Sequence, residues 1–142
     1  MKKFSILLVL AVLLSGLTFT SCGKYEEGPG FSVLPKKSRL QQKWRPIESV
    51  SSSGVVTTID NDGSYSEFLK GGIAKTYVGS LDLGLEGTWE FNSDKTMITT
   101  SYTFEILGVS TTTETTSKII KLKINALGLE DEDGNKTYFE YF

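Results

Sequence analysis

Polar and apolar side chains alternate with a period of two through the centre of the chain. One face of the segment 98–106 holds Ile98, Thr100, Tyr102, Phe104 and Ile106, which are apolar or aromatic except for Thr100, while Thr99, Ser101 and Thr103 fall on the other face. Farther along, Ile120, Leu122 and Ile124 alternate in the same way with Lys121 and Lys123. This alternation predicts β-strands with one buried face and one solvated face.

The same pattern, broken by turn residues, extends from Leu40 to the end of the chain. It predicts about eight strands, near 43–50, 55–59, 64–70, 73–81, 87–92, 96–107, 115–125 with 127–131 continuing it, and 136–142. The turns between them contain Gly, Asn and Asp, at 60–63, 71–72, 92–94 and 133–135. Consecutive strands with short turns favour an all-β antiparallel meander barrel, which leaves no free sheet edges, and the alternative is a two-sheet β-sandwich.

The first 22 residues have the three parts of a secretory signal that ends in a lipid-accepting cysteine. Lys2 and Lys3 precede an apolar run over 4–19, and two small residues then precede Cys22, which is the one cysteine of the chain. The run is short for a membrane span. We therefore predict a lipoprotein signal peptide over 1–21 and lipidation of Cys22, which would attach the protein to a membrane. The alternative is that Cys22 is a buried small residue behind a conventional signal.

The residues after Cys22 show neither a helical nor a strand period. Gly, Pro, Lys and Glu dominate here, which predicts a flexible tether over 22–38, followed by one domain over 39–142. The mature chain of about 120 residues suits a single domain. It carries a net negative charge, which argues against binding to nucleic acid.

Several short segments, in this order, resemble the lipocalin-like lipoproteins of Bacteroidota. They are Leu40 with Trp44, 87–91 with Asp94 and Lys95, 120–122, and 127–129 before an acidic Gly turn. Phe19 before the small residues and Cys22 also resembles the relaxed lipoprotein box of that group. Two features depart from true lipocalins: Gln42 replaces their glycine before x-Trp, and their Thr-Asp-Tyr motif is missing. The resemblance implies an eight-stranded barrel with a tryptophan in the first strand near a closed end.

The resemblance also bears on where the protein resides. It implies an outer-membrane lipoprotein that faces either the periplasm or the cell surface. The segment 24–27, with sequence Lys-Tyr-Glu-Glu, resembles the short acidic export signal of some of these proteins. Its alternative interpretation is a solvated charge pair in the tether.

The residue types argue against catalysis and against a bound metal or other cofactor. The chain has no histidine, which excludes Ser-His-Asp and Cys-His arrangements, and its adjacent carboxylates fall in the tether or at a turn. Two segments imitate a calcium loop, at Asp60 with Asp62 and at Asp131 with Asp133. Both lack the first ligand, where Thr58 and Leu129 stand, so we expect ordinary hairpin turns.

Five aromatic residues are candidates for either a ligand pocket or the core: Trp44, Trp89, Phe91, Tyr102 and Phe104. An eight-stranded barrel has room for side chains or for one small ligand, and large aromatics favour a filled interior. The Thr-rich stretch 110–117 is either a protruding hairpin tip that offers hydroxyls to a partner or an exposed strand edge, and the edge is the simpler reading.

Two function classes remain after this reasoning. The preferred one is a lipid-anchored, non-enzymatic binding module that admits a small apolar ligand at the open end of the barrel. The alternative is a structural or interaction protein with a filled barrel, which contacts an envelope protein or glycan through its outer surface. An internal cavity above about 300 Å³ would favour the first class, and its absence the second.

Overall fold

The computed structural model describes residues 25–28, 32–81 and 83–142, with the side chain of Ile106 left out. The predicted signal peptide and Cys22 lie outside these residues. One short helix, α1 (Lys36–Leu40), precedes nine strands: β1 (Lys43–Val50), β2 (Val56–Thr58), β3 (Tyr65–Phe68), β4 (Ile73–Val78), β5 (Leu83–Phe91), β6 (Met97–Ile106), β7 (Val109–Leu122), β8 (Ala126–Glu130) and β9 (Lys136–Tyr141). No helix among the described residues is both long and apolar enough to cross a membrane.

The strands close into an antiparallel barrel. From β3 to β9 each strand pairs with the next, and β1 joins β3 on one side and β9 on the other. The β1–β9 pairing runs from Trp44 opposite Tyr141 to Val50 opposite Lys136, so it connects the two ends of the domain. The predicted all-β meander barrel of about eight strands is confirmed, and the β-sandwich alternative is wrong.

The count of eight is right, but two of its members differ from the prediction. The predicted strand 55–59 is β2, which pairs with β1 at Glu48–Val50. Because β9 pairs with the other edge of β1 over these residues, β2 lies on the same edge of β1 as β3 and does not add a strand to the closed barrel. The segment 127–131, predicted to continue the preceding strand, is instead a separate strand, because the chain reverses at 123–125, where the Lys123 amide donates to the Ala126 carbonyl.

A bulge in β7 also changes which residues are buried. The register with β8 shifts between Ile119 and Lys121, so Ile119 and Ile120 are both buried although they are adjacent. An extra residue in one strand breaks the two-residue alternation. Ile124, predicted to share the buried face with Ile120 and Leu122, lies in the turn after β7 and is 58% exposed.

Helix α1 plugs one end of the barrel, which we call the closed end. Leu40 and Trp44 are completely buried there, and the Trp44 indole Nε1 donates to the Leu40 carbonyl at 2.9 Å. The buried Arg39 guanidinium donates to the carbonyl of Leu122, the last residue of β7.

The connections between strands alternate between the two ends of the barrel. The connections β3–β4, β5–β6 and β7–β8 lie at the closed end. The connections β1–β2, β2–β3, β4–β5, β6–β7 and β8–β9 lie at the opposite, open end.

The β6–β7 hairpin rises above the rest of the open end. Pairing between β5 and β6 stops at Gly87 opposite Tyr102, whereas β6 and β7 stay paired as far as Ile106 opposite Val109. The hairpin turns at Leu107 and Gly108, which both have positive φ. We call residues 103–112 the hairpin arm. The Thr-rich stretch 110–117 is therefore an exposed length of β7 and does not form the tip.

Residues 25–28 lie against the outside of the barrel, and we call them the N-terminal clasp. Tyr25 is 6% exposed and belongs to the core cluster, and the Glu27 amide donates to the Ile120 carbonyl at 2.7 Å. The flexible tether was predicted over 22–38. Within that range the described residues of the clasp and of α1 pack on the barrel, because Tyr25 buries its ring and the glutamates find lysine partners.

Candidate functional site

A cavity of about 220 Å³ lies inside the barrel. One part of its lining is apolar and consists of Trp44, Phe68, Leu127, Leu129 and Phe139; the other part carries hydroxyl groups and consists of Ser66, Thr76, Thr100, Tyr102, Thr115 and Ser117. Pairing of β7 with β8 ends at Lys118 opposite Glu130, so Thr115 and Ser117 lie beyond the last residue of β8. The cavity is therefore open to solvent on this side of the open end.

The hydroxyl side of the cavity follows from strand alternation. Thr100 and Tyr102 lie two residues apart on β6, as Thr115 and Ser117 do on β7, so each pair shares a face. The Tyr102 hydroxyl lies 2.8 Å from Thr76 Oγ1, and Ser66 Oγ lies 3.4 Å from the same atom. A hydroxyl group both donates and accepts, so this row keeps hydrogen-bonding capacity for a ligand.

Gly87, which has no side chain, leaves room for the Tyr102 ring. A Cβ at this position would lie 2.7 Å from the Tyr102 ring and 2.2 Å from the Ser101 carbonyl oxygen, which is too close for a carbon atom. The two residues are directly opposite each other in the β5–β6 pairing. The ring therefore lies over the bare backbone of Gly87, and its hydroxyl reaches Thr76 on β4.

The five aromatic candidates divide between the cavity, the closed-end core and the hairpin arm. Trp44 and Tyr102 line the cavity. Trp89 is 5% exposed, and its ring packs edge-on against Phe91 with 5.4 Å between centroids. Trp89 belongs to the buried core cluster, and Phe91 packs against that cluster. Phe104 is half-buried on the hairpin arm.

The sequence reasoning missed most of the hydroxyl residues. It placed Thr100 on the same face as Ile98 and Tyr102, but it did not single out Ser66, Thr76, Thr115 or Ser117. The signal that would have found Thr100 is a polar residue on an otherwise apolar strand face. Ser66 and Thr76 carry no such local signal, since they become neighbours only through the β3–β4 pairing.

The Asp131 segment forms the expected hairpin turn between β8 and β9. The Asp60 segment does not, because β2 and β3 on either side of it each pair with β1 and not with each other. Asp131 accepts from the Asn135 side chain at 2.9 Å and from the amides of Asp133 and Asn135 at 3.0 and 2.8 Å. The side-chain bond first, and the backbone bonds after it, hold the carboxyl pKa of Asp131 below its usual value. Gly134 has positive φ, as the hairpin turn requires. Within the described part of the chain, no three His, Cys, Asp or Glu side chains lie close enough together to hold a metal ion.

A second depression, of about 390 Å³, lies on the surface beside the clasp. Its charged lining comes from Glu27, Glu48 and Lys121, and Tyr138 forms part of its wall. Tyr138 donates to Glu27 at 2.7 Å, and burial together with this carboxylate raises the pKa of Tyr138 to about 12. Glu27 binds both Tyr138 and Lys121, so the groove is part of the contact between the clasp and the barrel surface.

Comparison with known proteins supports the fold. No protein-family model matches the chain, and neither does any curated protein. Two solved structures are similar. A lipocalin-like protein from Bacteroides uniformis ATCC 8492 is 19% identical, with a TM-score of 0.53 over 73% of this chain and 99% of its own. An uncharacterized protein from Bacteroides eggerthii DSM 20697 is also 19% identical, with a TM-score of 0.57 over 72% and 99%. The closed barrel described above is thus a lipocalin-like fold.

Proposed function

We propose that this protein is a lipid-anchored, non-enzymatic binding module of the bacterial outer membrane, whose barrel takes one small ligand at its open end. The observation that carries the proposal is the cavity of about 220 Å³ with an apolar side and a hydroxyl side. Cys22 attaches the protein to the membrane through lipid. Both structural neighbours come from Bacteroides, which is consistent with a location at the outer membrane. The lipid and this location are proposed together with the binding role.

The cavity limits the size and chemistry of the ligand. Pockets for drug-sized ligands run from about 300 to 1,000 Å³, whereas an apolar cavity of about 150 Å³ holds benzene. A space of about 220 Å³ therefore takes a compact molecule somewhat larger than benzene. The apolar side favours a ring or short chain, and the row of Ser66, Thr76 and Tyr102 hydroxyls favours one polar group on it. The wholly apolar ligand expected from the sequence fits less well.

Native mass spectrometry of the protein purified from its own membrane tests whether a small molecule is retained. Indole and phenol, each an apolar ring with one polar group, serve as probes in ligand-observed NMR. Thr100→Leu fills the cavity and should weaken probe binding at least tenfold. Thr99→Leu changes the neighbouring threonine on the outer face and should leave binding within about twofold, which is the size of a surface effect. Absence of both a retained molecule and probe binding would contradict the proposal.

By its size alone, the cavity of about 220 Å³ favours the second function class, an interaction protein that uses its outer surface; the apolar and hydroxyl lining is what supports the first class. The interior falls below the 300 Å³ expected for a ligand carrier, and the hairpin arm projects with both of its edges unpaired among the described strands. Free strand edges can accept an additional strand from a partner. A variant with residues 104–109 replaced by a shorter turn would lose such a partner while keeping indole and phenol binding.

A further inference from the structure

Charges are unequally distributed between the two ends of the barrel. At the closed end, Glu26 and Glu27 of the clasp pair with Lys118 and Lys121 of β7, so these four charges balance. The other described segments there are residues 32–42, 69–72, 92–96 and 123–125; their basic residues are Lys36, Lys37, Arg39, Lys70, Lys95 and Lys123, and their acidic residue is Asp94. The described loops at the open end are residues 51–55, 59–64, 79–81, 107–108 and 131–135. They contain Asp60, Asp62, Asp131, Glu132 and Asp133, and no basic residue. The barrel is positive at its plugged end and negative at its mouth.

The positive charges at the closed end are available to a partner. Lys37, Lys70, Lys95 and Lys123 are exposed. Arg39 is buried, and its guanidinium donates to the Leu122 backbone carbonyl, a bond that does not neutralise its charge. Ion pairs of the barrel wall, such as Lys75 with Glu86 at 3.1 Å, neutralise lysines elsewhere. The closed end therefore carries a net positive field toward solvent.

Apolar side chains accompany these lysines. Val33 and Leu34 directly precede α1 and are 81% and 42% exposed, and Ile124 lies on the β7–β8 turn. The Ile124 carbonyl accepts from the Gln42 side chain at 2.6 Å, which holds this turn against the end of α1. Apolar groups are also exposed at the open end, for example Leu107, so it is the charge that distinguishes the two ends.

The clasp fixes the chain that leads to Cys22 at this same end. The Tyr25 hydroxyl donates to the Lys95 carbonyl at 2.7 Å, and Lys36 lies 4.3 Å from the centroid of the Tyr25 ring. Glu26 pairs with Lys118, and Glu27 pairs with Lys121 at 2.6 Å. Three residues of chain span at most about 11 Å, so Cys22 cannot be farther than that from Tyr25. A lipid on Cys22 would enter the membrane beside the closed end.

We propose that the closed end of the barrel is a docking surface for anionic lipid headgroups, which seats the plugged end on the membrane and turns the mouth away from it. The inference rests on the lipid anchor of the proposed function. Lysines near an anionic bilayer are attracted to it within a Debye length, about 8 Å at physiological salt, and the clasp brings them into that range. Val33, Leu34 and Ile124 then contact the interface, and the acidic mouth is repelled from it.

Fluorescent probes at the two ends of the lipidated full chain test this orientation. Cys22 is the one native cysteine and is occupied by lipid, so Ser93→Cys at the closed end and Ser53→Cys at the open end each label at one site. Both serines are exposed in turns and change by one atom. The bimane-labelled proteins are placed in vesicles of phosphatidylcholine and phosphatidylglycerol, three to one, that contain brominated lipid. The probe at 93 should be quenched at least threefold more than the probe at 53.

Charge variants separate the headgroup contact from the anchor. The triple variant Lys70→Glu, Lys95→Glu and Lys123→Glu should at least halve quenching at 93, while Lys136→Glu at the open-end side should change it little. Omission of phosphatidylglycerol should act like the triple variant. Protein that floats with vesicles while both probes are quenched equally contradicts the orientation alone. Protein that does not float contradicts the lipid anchor and the orientation with it.

Discussion

At the residue scale, Trp89 connects three parts of the closed end. Its indole Nε1 donates to the Leu69 carbonyl in the β3–β4 turn at 2.9 Å. Its ring packs edge-on against Phe68 of β3 and Phe91 of β5, at centroid distances of 5.8 and 5.4 Å. The adjacent Glu90 points outward and is exposed. Edge-on aromatic pairs contribute free energy beyond that of the apolar area they bury. Trp89 therefore stabilises the closed end more than an aliphatic residue at the same position would.

Replacement of Trp89 by alanine should lower the free energy of unfolding by about 3 to 5 kcal/mol, because it leaves a large cavity and an unpaired Leu69 carbonyl. The control Glu90→Ala, one residue away on the outer face, should change it by less than about 0.5 kcal/mol. Urea unfolding of the two variants measures both values. An unchanged midpoint for Trp89→Ala would show that this ring does not hold the closed end.

Gly87 provides a second test at this scale. Gly87→Ala should destabilise the barrel by about 1 to 3 kcal/mol, since the new Cβ overlaps the Ser101 carbonyl and the Tyr102 ring. Gly84→Ala on the same strand is the matched control, because its Cβ would lie 3.7 Å from the Tyr77 ring, an ordinary contact. Thermal unfolding should separate the two variants clearly. Equal melting temperatures would mean that Tyr102 does not lie over Gly87 in solution.

At the scale of elements, the contact between the clasp and the barrel depends on pH. Hydrogen bonds from Lys121 and then Tyr138 lower the pKa of Glu27 below 4.5. A carboxyl whose pKa is lowered by folding stabilises the folded state above its unfolded pKa, and loses that contribution as the pH falls through the lower, folded value. The ion pair of Glu27 is partly exposed, with 37% of its side chain accessible, so its contribution is modest.

Glu27→Gln should therefore lower the free energy of unfolding by about 0.5 to 1 kcal/mol at pH 7, and the difference from the unmodified protein should be smaller at pH 3, because the carboxyl takes up a proton as the pH falls through its lowered pKa. Tyr138→Phe removes the other partner of Glu27, but leaves Lys121 in place, and should have a smaller effect. Urea unfolding at the two pH values checks this. A difference that persists undiminished at pH 3 would place the stabilising contact elsewhere.

At the scale of the whole molecule, the proposed lipid anchor and the barrel would have a defined relative orientation. The clasp and α1 both lie at the positive end, and the cavity opens at the other. A domain on a free tether would present its mouth in every direction, whereas the clasp would limit this motion. The distance between membrane and mouth is then set by the length of the barrel.

Cys22→Ser should abolish incorporation of labelled palmitate and leave either released protein or an uncleaved precursor, because the chain has no other cysteine. Two or more acyl chains anchor almost permanently, since each buried methylene contributes about 0.8 kcal/mol. Ser21→Thr is a conservative control in the same box and should still be labelled. Equal membrane association and equal labelling of Cys22→Ser would contradict the anchor.

The sequence by itself determined the class of fold. The alternation of Ile98, Thr100 and Tyr102 is a property of neighbours along one strand, and it predicts a half-buried sheet wherever that strand lies. Turns at Gly63, Gly71 and Gly134 were predicted for the same local reason, and each has positive φ. The turn at 92–94 was only roughly placed, since the positive φ falls on Lys95.

Tertiary structure decided the closure, the cavity and the clasp. β1 pairs with β9, and the order of strands along the chain does not specify that contact. The bulge between Ile119 and Lys121 accompanies the burial of both Ile119 and Ile120, and Tyr25 is buried although its own segment has no periodic pattern. Whether the barrel is filled depends on the volume left among Trp44, Tyr102 and the residues around them. Such properties arise from residues far apart in the chain, so a pattern read along one segment does not report them.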